Sequence, residues 1–410
     1  MKSLFILLGV AAIAAHSHYL DNAHKYRGDK VIEVTLTNDA DYNFIMSLKP
    51  DIWSYQSTLQ KNLPNKLHLT PASYNALLSH GNIKHRVLID DLEANLHRNA
   101  QSSNAAALTN ENRTLLDDWY YSWHSYAEIE AKLAEAAATH PAYVRMLAPI
   151  GQSYEGRNIT GIRLGRGAPG AKRVAFTSGT HAREWASEAV VMWFLGMSLQ
   201  EIDAGTSLFI NSDIDVYIIP CYNPDGYEYS RTTERYWRKN RRLNYDGSYG
   251  VDQNRNWGDH WAEVGVSFDP SDETYCGESA FSEREVKAVS EWIAAMKFDA
   301  LIDFHSVAGM FLRPYGFKFD ESPDEARLKA LGQELVNDVY AVHGTMYENI
   351  RGVDLYPAAG ATDDWSYEVA GIPSVYTIEV GGVDFAPPVD DIPIRGEELY
   401  PALKRFVVKG

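Results

Sequence analysis

The stretch VAFTSGTHARE, residues 174–184, and the apolar run that follows it, WASEAVVMWFLGMSL over residues 185–199, decide how this 410-residue chain folds. Residues 174–177 form a short apolar run of the kind a buried strand uses, and residues 185–199 have the apolar spacing of an amphipathic helix. Between them Ser178, Gly179 and Thr180 signal a turn. His181 and Glu184 therefore stand where a strand hands over to a helix. A second strand-like run, residues 299–304, delivers His305 to its tip. In open α/β sheets, ligand sites gather beyond the carboxyl ends of strands, so the two segments can converge on one site.

His, Glu and His are ligand types for a catalytic zinc, which takes three protein side chains and keeps one position open, whereas structural zinc sites are closed and usually rich in Cys. Only Cys221 and Cys276 are present, which excludes a closed cysteine site. A His and a Glu three residues apart are weak evidence alone, since such pairs usually mark a solvated helix face. Four further segments strengthen the reading. Residues 236–240 (YWRKN) and 250–257 (GVDQNRNW) combine Arg, Asn and Trp more densely than a surface loop normally does. Arg forks match carboxylate oxygens in paired geometry, although Arg in an acidic protein more often pairs with nearby acids. Asp252 could orient a zinc-bound His by accepting from its second nitrogen. Residues 356–365 (YPAAGATDDW) form a glycine-bearing loop leading into a helix, where an N-cap accounts for one of the two acids but does not require both. Residues 375–380 (VYTIEV) read as a buried strand carrying Glu379, and a lone carboxylate there is costly unless paired or functional.

From about Trp119 to the C-terminus, the ordered set HxRE, NPDG at 223–226, WRKN, DxNRNW, FHS, DDW and YTIE resembles the zinc metallocarboxypeptidases of the pancreatic A/B type, which are made as secreted proenzymes. Residues 26–98 resemble that family's propeptide more faintly, chiefly through YRGDKVIEV at 26–34. The resemblance implies an α/β fold with a central mixed twisted β-sheet flanked by helices on both faces, preceded by a small α+β open-sandwich propeptide domain. It implies one Zn2+ per catalytic domain, held by His181, Glu184 and His305, the two-histidine, one-glutamate ligation of carboxypeptidase A. Glu379 would be the general base and Arg238 would stabilise the oxyanion. Asn254, Arg255 and Tyr356 would clamp the substrate's terminal carboxylate, and Arg183 would make a further substrate contact. Type A members carry an aliphatic residue at the position of Asp363 and type B members an Asp. The expected activity is therefore removal of C-terminal Lys and Arg from peptides and proteins. The alternatives are a type A enzyme for apolar termini and a non-catalytic peptide-binding homologue.

Composition fits this reading. The first residues, Met1 and Lys2 followed by an apolar run to Ala15, resemble a signal peptide cleaved near Ser17, too short to span a bilayer. The expected organisation is a signal peptide at 1–17, a propeptide domain at 18–98, a connecting segment at 99–113 and a catalytic domain at 114–410, in a secreted, extracellular protein. The connecting segment is polar and Ala-rich, as an exposed linker or helical connector would be. Arg113 is the preferred cleavage site for an activating trypsin-like protease, and the chain's own propeptide is the expected inhibitor. Residues 18–113 carry balanced charge, whereas the remainder from Thr114 carries a formal charge of −18. That acidity argues against nucleic-acid and membrane partners, and a monomer is expected. The spacing of Cys221 and Cys276 leaves their pairing open.

Overall fold

The computed structural model describes residues 20–54, 59–81, 83–109, 116–382 and 384–410, with side chains of 101–109 outside that description. The expected signal peptide, Arg113 and the rest of the connecting segment past Thr109 lie outside the described residues. The chain divides into two compact units, Met1–Ser102 and Ser103–Gly410.

The first unit carries a four-stranded antiparallel sheet in the order β2-β3-β1-β4, formed by β1 (Lys30–Thr35), β2 (Asp51–Ile52), β3 (Pro64–Leu69) and β4 (His85–Ile89). Two helices, α1 (Asp39–Ser47) and α2 (Pro71–His80), start on side-chain caps: Asn38 accepts from the Asp41 N–H and Thr70 from that of Ser73. Ile32, Val34, Leu67 and Leu69 from the strands pack with Ile45 of α1 and Leu77 of α2. A third helix, α3 (Leu92–Thr109), continues well into the expected connecting segment.

In the second unit, α4 (Tyr126–Thr139) begins on a capping box between Ser125 and Glu128. Eight strands form one sheet in the order β13-β12-β14-β11-β9-β10-β8-β5. They are β5 (Val144–Met146), β8 (Ile162–Leu164), β9 (Lys172–Ser178), β10 (Ile214–Ile219), β11 (Ala300–Ser306), β12 (Met310–Arg313), β13 (Glu348–Arg351) and β14 (Ser374–Val380), while β6 (Gly151–Gln152) and β7 (Asn158–Ile159) pair separately. The four central strands β10, β9, β11 and β14 run parallel, and antiparallel pairs at β8, β5 and β12 make the sheet mixed, as the family resemblance implies.

Successive side chains of a strand point to opposite faces, and both faces here are covered. On one, Ala175, Tyr217, Leu301 and Val375 pack against Val286, Val289 and Ile293 of α7 (Arg284–Met296) and Trp365 of α9 (Thr362–Glu368). On the other, Phe176 meets Phe304 at 5.3 Å and Phe194 of α5 (Trp185–Asp203) at 5.1 Å, and Tyr376 meets Phe406 of α10 (Asp391–Lys409) at 5.8 Å. The sequence suggests an amphipathic α5, yet its residues from Trp185 to Leu199 are buried almost all round. The reason is α10, which covers the side a surface helix would show to water: Phe194 lies 5.7 Å from Tyr400, and a Cβ at Gly396 would come within 2.3 Å of Trp193.

Candidate metal centre

The turn that carries β9 into α5 needs Gly179. Its φ is +73°, and a Cβ there would lie 2.7 Å from Cys221 Cα and Sγ, so only glycine lets the chain pass this close to the end of β10. The turn brings His181 and Glu184 back over the sheet, with Glu184 at the N-cap position of α5. The ends of three strands then converge through register. Thr177, Asp303, His305 and Glu379 belong to one face of the sheet, because β9, β11 and β14 run parallel with Thr177 opposite Asp303 and His305 opposite Glu379.

His181, Glu184 and His305 are all buried, and one ligand atom from each lies within 4.8 Å of the others. His181 Nδ1 is 3.0 Å from Glu184 Oε1, His305 Nδ1 is 3.2 Å from Glu184 Oε2, and the two Nδ1 atoms face each other at 3.0 Å. The outer nitrogens decide what those inner ones are. His181 Nε2 meets Asp252 Oδ1 at 3.0 Å and His305 Nε2 meets Asp303 Oδ2 at 3.1 Å. An ionised carboxylate only accepts, so each ring holds its proton on Nε2 and turns a lone pair inward from Nδ1. Two lone pairs and a carboxylate then converge with no donor among them, an arrangement that suits a cation. The donor set of two imidazoles and one carboxylate is that of a catalytic zinc site.

The supports are themselves anchored. Asp303 Oδ1 accepts from Thr177 Oγ1 at 2.7 Å, and Asp252 Oδ2 accepts from Arg238 Nη2 at 2.9 Å. The Ser306 N–H donates to Glu184 Oε2 at 3.0 Å, fixing that carboxylate. Burial alone would raise the Asp252 carboxyl, but the charges of Arg238 and His181 hold it well below the usual range. Burial works against a charged His305, yet Asp303 and Glu184 outweigh it and push its pKa well above 6.5. The site thus demands positive charge, and a bound dication supplies it in place of an imidazolium proton.

Around this centre the other sequence-predicted residues take the following places. Arg238 Nη1 lies 3.8 Å from Glu184 Oε1. Glu379 is half-buried, no described residue donates a hydrogen bond to its carboxylate, and loss of hydration together with the Glu184 charge pushes its pKa up to about 7. Arg255 and Tyr356, a hundred residues apart, meet at 2.9 Å through Nη2 and the phenol oxygen. Asn254 Oδ1 accepts from the N–H and the hydroxyl of Thr362, which leaves its amide NH2 free to donate. Arg183 packs over the Phe385 ring at 4.3 Å and donates to Tyr236 O. Asp363 is buried at the start of α9, accepts from the Asp364 N–H, and has no cation within ion-pair distance among the described residues. Burial raises its carboxyl above 3.8. Asp364 is occupied differently, with both oxygens 3.0 Å from the Gly316 N–H. Arg351, close in sequence to Tyr356, is held by Asp354 at 2.6 Å. Cys221 and Cys276 are separate buried thiols.

Sequence reasoning singled out Asp252 but passed over Asp303, whose signal is modest: a carboxylate two places before a histidine on one strand shares its face. Gly360 holds the loop between Tyr356 and Asp363 against Arg255. Its φ is +73°, and a Cβ would lie 2.6 Å from Arg255 O.

The model of the zinc carboxypeptidase family matches residues 129–402. Among curated proteins, the chain is 34% identical to Homo sapiens "Carboxypeptidase A6" over 381 residues, covering 89% of this chain and 85% of that one. It is 30% identical to Homo sapiens "Carboxypeptidase B" over 421 residues, covering 98% and 97%. Among solved structures, carboxypeptidase A from Helicoverpa armigera superposes with a TM-score of 0.82 at 26% identity, covering 94% of this chain and 98% of that one. With the His-Glu-His centre on this mixed sheet and the matches spanning nearly the whole chain, the protein belongs to the zinc carboxypeptidase family and is a metallocarboxypeptidase.

Proposed function

We propose that this carboxypeptidase removes C-terminal Lys and Arg, with His181, Glu184 and His305 holding one zinc. When bound, zinc supplies Lewis acidity that eases deprotonation of a water and polarises the scissile carbonyl. Glu379 takes the water's proton and passes it to the departing amine, a role suited to a carboxylate that burial and the neighbouring Glu184 charge make a stronger base than an exposed one. Arg238, held by Asp252, faces the oxyanion that develops on the attacked carbonyl, a contribution of ~3 kcal/mol by comparison with other oxyanion donors. The Arg255 guanidinium, the Asn254 amide and the Tyr356 hydroxyl present donors for a free terminal carboxylate, which restricts cutting to the last peptide bond. Arg183 contacts the substrate further along.

The observation that carries the basic preference is Asp363: a buried carboxylate with one backbone donor and no cation partner among the described residues. A Lys or Arg side chain would complete it, whereas an apolar one would leave it unpaired. The test compares two peptides identical except for a final Arg or Phe; higher kcat/KM for Arg is expected, and a preference for Phe would return the type A reading.

We also propose that the protein is exported with loss of residues 1–17, that the unit centred on β1–β4 is a propeptide, and that a trypsin-like protease releases the enzyme by cutting after Arg113. The polar, Ala-rich composition of 99–113 supports this, and among the described residues no helix is long and apolar enough to cross a membrane. N-terminal sequencing of the secreted and the trypsin-treated protein tests both cuts.

A further inference from the structure

We propose that Asp259, His260 and Glu368 form a second divalent-cation site of the zinc class, separate from the catalytic centre. These three side chains place one ligand atom each within 4.8 Å of the others. His260 Nδ1 meets Glu263 Oε2 at 3.0 Å, so the proton belongs on Nδ1 and the Nε2 lone pair turns to the other side. There it faces Asp259 Oδ1 at 3.7 Å and Glu368 Oε2 at 3.6 Å. Both gaps are too long for hydrogen bonds. Two ligands on one tetrahedral zinc at 2.0–2.2 Å stand ~3.4 Å apart, so the two gaps to His260 lie within a few tenths of an ångström of that spacing, and the two carboxylates, within 4.8 Å of each other, complete the set.

Three observations separate this from an ordinary surface ion-pair cluster. Asp259 is nine-tenths buried, and its Oδ2, beside the Oδ1 that faces His260, has no hydrogen-bond partner among the described residues. An imidazolium between two carboxylates would draw at least one of them to hydrogen-bond distance, yet neither has closed. Charge also matches: among the described residues, the carboxylates of Asp259, Glu263 and Glu368 stand against the ammonium of Lys318, which pairs with Glu368 Oε1 at 2.8 Å, leaving two negative charges for a dication. The His260 ring is held in place by stacking on Phe317, with centroids 3.8 Å apart. One nitrogen and two carboxylate oxygens favour zinc-like ions over calcium, which takes oxygen ligands throughout.

The site would tie together two segments that meet at the candidate substrate pocket. Asp259 and His260 follow Arg255 closely, and Glu368 ends the helix that begins with Thr362 and Asp363. The inference does not depend on the basic preference proposed above.

The test is equilibrium dialysis of the full chain against buffered free Zn2+, with zinc and protein measured together. Two zinc ions per wild-type chain are expected. His260→Ala and Glu368→Gln should each fall to one, His181→Ala should keep one, and the His181→Ala/His260→Ala double variant should hold none. A wild-type chain that saturates at one zinc, or a second zinc that survives both His260→Ala and Glu368→Gln, would overturn the proposal. Circular dichroism identifies any variant that fails to fold, and the remaining one of the pair then decides.

Discussion

Replacing Asp363 with Asn removes one charge from a buried position while keeping its shape and its acceptor oxygen. The residue is 6% exposed and accepts a single backbone N–H at 3.0 Å. A substrate guanidinium about 4 Å away would gain ~4 kcal/mol at an effective dielectric constant near 20. Part of that gain is spent ionising a carboxyl that burial already holds above its ordinary pKa. A net ~3 kcal/mol remains, within the range for breaking a buried charge pair, and corresponds to roughly a hundredfold or more in kcat/KM. The assay follows release of the last residue from matched peptides ending in Arg and in Phe. Asp363→Asn should lose on the order of a hundredfold on the Arg peptide and change less than about threefold on the Phe peptide. An equal loss on both peptides, or no loss on Arg, would refute the claim that this carboxylate reads the terminal side chain.

Three other perturbations have defined outcomes. Asp252→Asn takes away the charge that joins His181 to Arg238, so zinc affinity in chelator competition should fall roughly 10–100-fold; an unchanged affinity would show that Asp252 does not support the metal. Glu379 must be deprotonated to accept a proton, so activity should fall as pH drops through its pKa, which nearby zinc moves below the value of about 7 that burial and Glu184 produce. Glu379→Gln should lower kcat by roughly 10²–10⁴ and abolish that acid limb, and a limb that persists in the variant would assign it to another group. In the N-terminal unit, burial opposes the charge on His68, but Asp29 at 2.7 Å and Asp51 at 3.6 Å overcome it and raise the pKa from 6.5 to about 9. A raised folded-state value stabilises fully below pH 6.5 and is lost as pH rises through 9, an effect of ~3 kcal/mol. Proteolysis of this unit in the full chain should therefore accelerate between pH 7 and pH 10, with the step missing in His68→Gln; the same step in the variant would contradict the assignment.

How far the chain could be read before its fold was known depended on distance along it. The run from Val174 to Glu184 was legible because strand, turn and helix signals are local, and the strand, turn and helix sit where those signals place them. His305 and Glu379 were legible as polar residues in apolar strand-like runs. Asp303 was not, since its meaning comes from sharing a face with His305 and from Thr177 on the neighbouring strand. The burial of α5 was hidden for the same reason, because the helix that covers it begins about two hundred residues later. Asn254 shows the limit most plainly: which end of its amide is left to donate follows from Thr362, which approaches only once the sheet has formed.

The most direct test of the account is X-ray absorption at the zinc edge of protein loaded with a single equivalent of metal, compared with His305→Ala. Two nitrogen ligands and carboxylate oxygen at about 2.0–2.2 Å, with no sulfur, are expected in the wild type, and one imidazole should disappear in the variant. Sulfur in the first shell, or a spectrum that His305→Ala leaves unchanged, would contradict the assignment of His181, Glu184 and His305 as the metal's ligands.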